Sequence, residues 1–422
     1  MSENVSDVLS EATDILNSVN EDHQTNKNID NALEMMEDIY QSPDGIKTES
    51  VSVREFEILR KCVRSATGLD VRTFTGGLKT ESAPDNFQNQ MVFESVKQII
   101  KDFWIALKSS FNSIWNKLKA WYLTVTSASE GLIKKANKLR TRAERISTTP
   151  KVRRIDYRNF KNVHIGGKIK SHELTSATKG FQKLMDVSLN VRTANETENF
   201  IDSAENALEE FVSSKSAGKP DSSWVNRFAD LYTPSTHADI KELKDSEQKK
   251  IYGITADNEK NAIYKCTNVL PGNCLFVFSE VKETSTLEMA DKVDMINARL
   301  IPADNKAHQE QSISIEVLPI PIIIEFCDSI VTFSEAISYY EKAWERRDKF
   351  MSKLIKTIDK TISRIDDEDL DIDVSKTYKR TCRSILRAVK RSNLYNASLI
   401  NYSLRLSNGL YDLGNTCLSQ YD

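Results

Sequence analysis

Proline and glycine are scarce, with 9 and 13 among 422 residues. The chain therefore has few obligatory helix breaks or tight turns, which disfavours an all-β or linker-rich architecture. No apolar run reaches the roughly 18 residues of a membrane-spanning helix. The opening Met1-Ser2-Glu3-Asn4 lacks the basic and apolar plan of a secretory leader, so synthesis in the cytosol is expected. Six cysteines (Cys62, Cys266, Cys274, Cys327, Cys382, Cys417) contain no CxxC pair, which argues against a zinc ribbon or a disulfide framework. They read as core or surface thiols; the alternative, Cys266 and Cys274 facing each other across a hairpin, is disfavoured by a reducing compartment.

Catalytic spacing is missing as well. The five histidines (His23, His164, His172, His237, His308) form no HExxH or His/Cys ligand pattern and read as solvent-facing. His164-Ile165-Gly166-Gly167-Lys168 is superficially a phosphate loop, but Asn162 stands at the first glycine position and Ile169 at the Ser/Thr position. Neither GxSxG nor GxGxxG occurs, and no carboxylate pair is singled out by an apolar setting. Asp366–Asp373 lacks the glycine and closing glutamate of an EF-hand and reads as a solvated connector. No catalytic residue, cofactor or metal is expected, and the chain reads as a non-enzymatic structural protein.

What is present is helical periodicity and segregated charge. The net charge of -3 conceals blocks of -8 over residues 1–81, +13 over 82–192, -11 over 193–330 and +3 over 331–422. Val5, Val8, Leu9, Ala12, Ile15, Leu16 and Val19, then Ile29, Leu33, Met36 and Ile39, predict two short acidic helices on flexible connectors. From Phe93 to Ile146 runs the strongest helical signal, its apolar face widened by Trp104, Trp115 and Tyr122. Such a face suits packing against partner helices, in a bundle or coiled coil. The alternative is a host-directed or membrane-surface role for the amphipathic helix over 93–122.

Thirteen bases then lie between Lys134 and Lys170, against only Glu144 and Asp156. Such density attracts polyanions without base-reading geometry. Lys134, Lys135, Lys138, Arg140, Arg142, Arg145, Arg153 and Arg154 are the candidate DNA contacts. Pairing of this stretch with the acidic 193–330 block or the acidic N-terminal block is the competing reading. A further helix is predicted over 196–212. Strands are predicted over Ile251–Ala256, Ala262–Thr267, Cys274–Val281, Met295–Ile301 and Ser312–Leu318, with turns at Asp257-Asn258 and Pro271-Gly272-Asn273. Pro319-Ile320-Pro321 marks the exit from this sheet, and helices over about 324–365 and 374–420 form an antiparallel hairpin. The fold class is α+β, predominantly α, with a small antiparallel β-rich insert. The segments are 1–81, an acidic front and candidate propeptide; 82–235, basic and helical; 236–323, β-rich; and 324–422, the hairpin.

Gly45-Ile46-Lys47-Thr48-Glu49-Ser50 recurs almost unchanged as Gly77-Leu78-Lys79-Thr80-Glu81-Ser82. Both copies lie in polar, glycine-containing stretches where a protease would find extended backbone. They read either as paired processing sites or as a repeated turn.

The ending, Ser398-Leu399-Ile400-Asn401-Tyr402-Ser403-Leu404-Arg405 through Leu418-Ser419-Gln420-Tyr421, follows the basic Lys376–Arg391 helix. Together with the aromatic Phe93–Ile146 block, it resembles the internal head proteins of large tailed bacteriophages. The resemblance implies packaging inside the capsid among other head proteins, contact with packaged DNA without sequence specificity, and cutting after glutamate by a maturation protease. Cleavage would then fall between Glu49 and Ser50 and between Glu81 and Ser82. Lys47 and Lys79 stand where related motifs place a small or aliphatic residue.

Overall fold

The longest apolar stripe forms the longest helix. Helix α2, Asp85–Arg145, runs 61 residues, about 90 Å at 1.5 Å per residue. Its buried side carries Phe103, Leu107, Phe111, Ile114, Leu118, Trp121, Val125, Leu132 and Leu139. The computed structural model describes residues 5–40, 85–189, 191–213, 220–232, 240–244, 249–250, 252–282, 285, 287–304, 311–342, 344–367 and 372–421.

Helix α1, Val5–Tyr40, is one continuous helix of 36 residues, where the sequence pattern predicts two short ones. The polar stretch between the two apolar runs stays helical because the residues flanking it, Leu16 and Val19 before and Ile29, Ala32 and Leu33 after, are all buried. Tertiary burial thus outweighs weak local propensity. Ser113 and Lys117 of α2 meet Asp22 and Ser18 of α1, so the two helices run antiparallel.

After β1 (Arg154–Tyr157) come α3 (Ser171–Ser188), α4 (Val191–Ser213) and α5 (Ser223–Tyr232). The β-rich part contains β2 (Lys241–Glu242), α6 (Ala256–Asn261), β3 (Ala262–Cys266), β4 (Cys274–Val281), α7 (Met289–Met295), β5 (Asn297–Pro302) and β6 (Ile313–Glu316). It ends in α8 (Ile320–Lys342), α9 (Trp344–Asp367) and α10 (Ile372–Leu418).

Strands β2-β3-β4-β5 form one antiparallel sheet, with Cys266 opposite Val277 and Cys274 opposite Pro302. Cys266 and Cys274 therefore do not face each other. Alternation along β4 sends Phe276 and Phe278 into the helical core beside Tyr395, while Leu275 and Val277 join Leu243 and Tyr252 in a small cluster on the other face.

Two strand expectations and one turn expectation change. The Ser312–Leu318 run pairs instead with β1, Tyr157 opposite Ile313, in a separate two-stranded sheet. The segment after Ile251 is a turn leading into α6. Asp257-Asn258 lies inside that helix because Thr255 and Asn258 close a capping box. Pro271-Gly272-Asn273 is the predicted turn, with Gly272 and Asn273 at φ of 80° and 53°. His164, expected at the surface, is buried; its Nδ1 accepts from the Gly167 N–H and its carbonyl from Gly272 and Asn273.

The stretch predicted as one helix over 324–365 is described as α8 and α9. Proline at 321 falls in the first turn of α8, where its missing N–H costs nothing. Ile323 lies beside Gly414, and Tyr340 accepts a hydrogen bond from Asn396, so α8 and α10 run antiparallel. Helix α9 leaves this pair to lie along α4, where Lys353 and Thr357 hold the buried Glu205. A single apolar cluster extends from Ala12 in α1 to Leu418 in α10.

Candidate nucleic-acid interface

The eight predicted contact residues divide by environment. Lys134, Lys138 and Arg145 are exposed on α2 and, at spacings of four and seven, lie within about 40° of one another around the helix. Arg154 is exposed on β1 just beyond it. The side chains of these four make no ion pair or hydrogen bond among the described residues. The other four are committed. Arg140 pairs with Glu144 at 2.9 Å and Asp328 at 2.7 Å. Arg142 donates to Asn415 at 3.0 Å. The Lys135 ammonium sits 5.5 Å from the Tyr411 ring centre, and Arg153 lies 3.9 Å from Glu316.

Other acids of the two acidic blocks pair elsewhere. Asp22 of α1 pairs with Lys117 at 2.7 Å, and Asp30 and Glu34 meet Arg387 of α10. From the middle block, Asp294 of α7 takes Arg387 at 2.7 Å and Arg391 at 2.9 Å, and Asp291 takes Arg380 at 2.9 Å. Arg391 also donates to the Val293 carbonyl at 2.6 Å. The 193–330 block thus answers Arg140 and Arg153 through Asp328 and Glu316, while Asp291 and Asp294 of that block and Asp30 and Glu34 of α1 go to α10. The sequence marks Lys376–Arg391 as basic but carries no signal for this pairing, since its partners are more than 350 residues away in α1 and about 90 away in α7.

Arg387 is held charged: burial opposes its guanidinium, and the hydrogen bond and charge of Asp30, with Asp294 and Glu34, more than offset that, for a net upward shift. Lys390 is buried, and burial pushes it down to about 8, with Asp30 and Asp294 opposing and Arg391 and Arg387 adding to the drop. Below pH 8 this ammonium is charged in both states and its burial is a standing cost. Between about pH 8 and 10.5 the unfolded chain binds the extra proton, so stability rises with pH in that window. Lys390→Met is accordingly expected to raise stability by about 1–3 kcal/mol at pH 7. The gain should shrink toward pH 10.5 in urea titrations run across that range.

From Ile100 to Tyr122 the apolar face is largely covered. Phe103, Trp104, Phe111, Trp115, Trp121 and Tyr122 are buried. Trp115 stacks on Trp344 at 4.6 Å and donates to Asp348 at 2.7 Å. Burial lifts the thiols of Cys274 and Cys327 to about 12 and that of Cys417 to about 11, which favours the protonated thiol at neutral pH. Among the described residues no cluster of His, Cys, Asp and Glu is arranged to hold a metal ion, and no helix is long and apolar enough to cross a membrane. Glu49, Ser50, Glu81 and Ser82 lie outside the described residues.

A model of the phiKZ-like phage internal head proteins matches residues 2–413. The chain belongs to that family. Comparison with curated proteins and with solved structures returned no match. Membership places this internal head protein within the phage head, among other head components. The match takes in α1 and the repeated Lys-Thr-Glu-Ser segments as well as the helical body, so the acidic front is part of the family pattern.

Proposed function

We propose that this internal head protein is a non-enzymatic packing element that touches the phosphate backbone of packaged DNA through the end of α2 and β1. The observation that carries the reading is the stripe of Lys134, Lys138 and Arg145 with Arg154 beyond it, exposed and without acidic partners among the described residues. Phosphate contact needs only cations held at a surface, and supplies affinity without sequence selection. The repeated motif supports processing after Glu49 and Glu81 by a maturation protease, which would remove the acidic front. N-terminal sequencing of the protein from mature heads checks this: a start at Ser50 or Ser82 is expected, and an intact Met1 or Ser2 rejects it.

For the DNA contact, the full chain carrying Lys134→Gln, Lys138→Gln, Arg145→Gln and Arg154→Gln is compared with the parent on duplex DNA from about 50 to 200 mM salt. Four lost phosphate contacts should flatten the slope of log K against log salt by about 3.6. An unchanged slope rejects this surface as the contact.

A further inference from the structure

Between α1, β5 and α10 lies a cavity of about 750 Å³. Six bases line it, Lys27, Arg299, Arg387, Lys390, Arg391 and Arg405, against two acids, Asp30 and Asp294. Three of these bases, Arg387, Lys390 and Arg391, lie within about one turn of α10. Cations crowded in this way, one buried and two partly buried, favour anions at contact distance. Helix α1 provides two of them, since Asp30 and Glu34 both reach Arg387. Among the described lining residues, Asp294 is the acid that does not belong to α1.

We infer that this groove is a phosphate-binding site, occupied in the full-length chain by the carboxylates of α1 and opened when α1 is displaced. Asp30 fills it incompletely: one oxygen accepts from Arg387, while its other oxygen, Oδ1, is buried with no hydrogen-bond partner. A phosphate group presents more acceptors than a carboxylate and matches the planar fork of arginine. The cavity is large enough for a phosphate group and polar enough to hold it, with Asn297, Ser398 and Asn401 among the lining residues. Burial holds Lys390 at about 8, with Asp30 opposing and the neighbouring Arg391 and Arg387 adding to the drop. The site is separate from the α2 stripe and does not rest on that surface binding DNA.

Because α1 and the anion compete for Arg387, their binding is linked, and the coupling is reciprocal. In the full chain, Asp30→Asn with Glu34→Gln should tighten binding about tenfold, measured by calorimetry at constant ionic strength with inorganic pyrophosphate and separately with a short DNA duplex. Adding Arg387→Gln and Arg391→Gln should abolish the gain. A gain with pyrophosphate identifies a site for small phosphates, and a gain with duplex alone identifies backbone phosphates; either supports the inference. No gain with either probe, or a gain that survives loss of both arginines, overturns it. The unmutated chain gives a second test: hydrogen exchange of α1 over residues 12–33 should quicken as pyrophosphate is added, and unchanged protection also overturns the inference.

Discussion

Trp121→Ala lowers stability by about 3–5 kcal/mol, the largest loss expected of any single substitution in α2. The indole is fully buried at the middle of the helical core and packs edge-on against Tyr122 at 4.9 Å. Tyr122 in turn lies 5.5 Å from Tyr340 and 4.4 Å from Trp344, so truncation would open a cavity where α2, α8 and α9 meet. Large rings held on three elements cannot close up without moving a helix, which is why the cost should sit at the upper end for a core aromatic. Urea unfolding followed by circular dichroism checks it. A loss below about 1 kcal/mol would mean that α2 does not organise the core.

Arg387→Met is the second large effect, again about 3–5 kcal/mol. The guanidinium meets Asp30 and Glu34 of α1 and Asp294 of α7, and Asp30 is almost wholly buried. Removing the arginine leaves carboxylates in a poorly solvated place, and the penalty is theirs rather than a measure of the pair's worth. One consequence separates this account from simple loss of packing. Replacing Asp30 by leucine in the Arg387→Met background should recover part of the lost stability, because the stranded charge is gone. A deficit that is independent of Asp30 contradicts the assignment.

Much of this was legible in residue order, for physical reasons. The spacing of Phe103, Leu107, Phe111, Ile114 and Leu118 states a buried helix face whatever covers it. The aromatic-rich, β-branched run over Cys274–Val281, bounded by turn residues, states a strand. The Pro271-Gly272-Asn273 turn follows from backbone sterics alone. What residue order did not carry was pairing at a distance. The continuity of α1 depends on α2, whose packing side chains lie about 90 residues further on. Similarly, β6 finds β1 across the whole β-rich part because both are short and neither joins the four-stranded sheet. The bases of the 134–170 stretch were visible as composition, yet only the structure separates Arg140, already answered by Glu144 and Asp328, from the unanswered Lys134 and Lys138. The Arg387 cluster had no local mark, since each of its acids lies on a different helix from the arginine.

The charge pattern acquires a geometry from these contacts. Acidic α1 seals part of the α2 face and the Arg387 groove, while the stripe at the end of α2 stays open to solvent. The full-length chain thus presents one basic surface to solvent and holds a second under its own carboxylates. Salt screens the first within about 10 Å at ordinary ionic strength, and the buried pairs much less.

The central claim, residence inside the phage head, is tested most directly by protease protection in purified particles. Intact heads are treated with an external protease, and peptides of this chain are quantified by mass spectrometry before and after the heads are opened. The account predicts that the chain is present and fully protected in intact heads and digested once they are opened. Its absence from purified heads, or digestion while they remain closed, would contradict it.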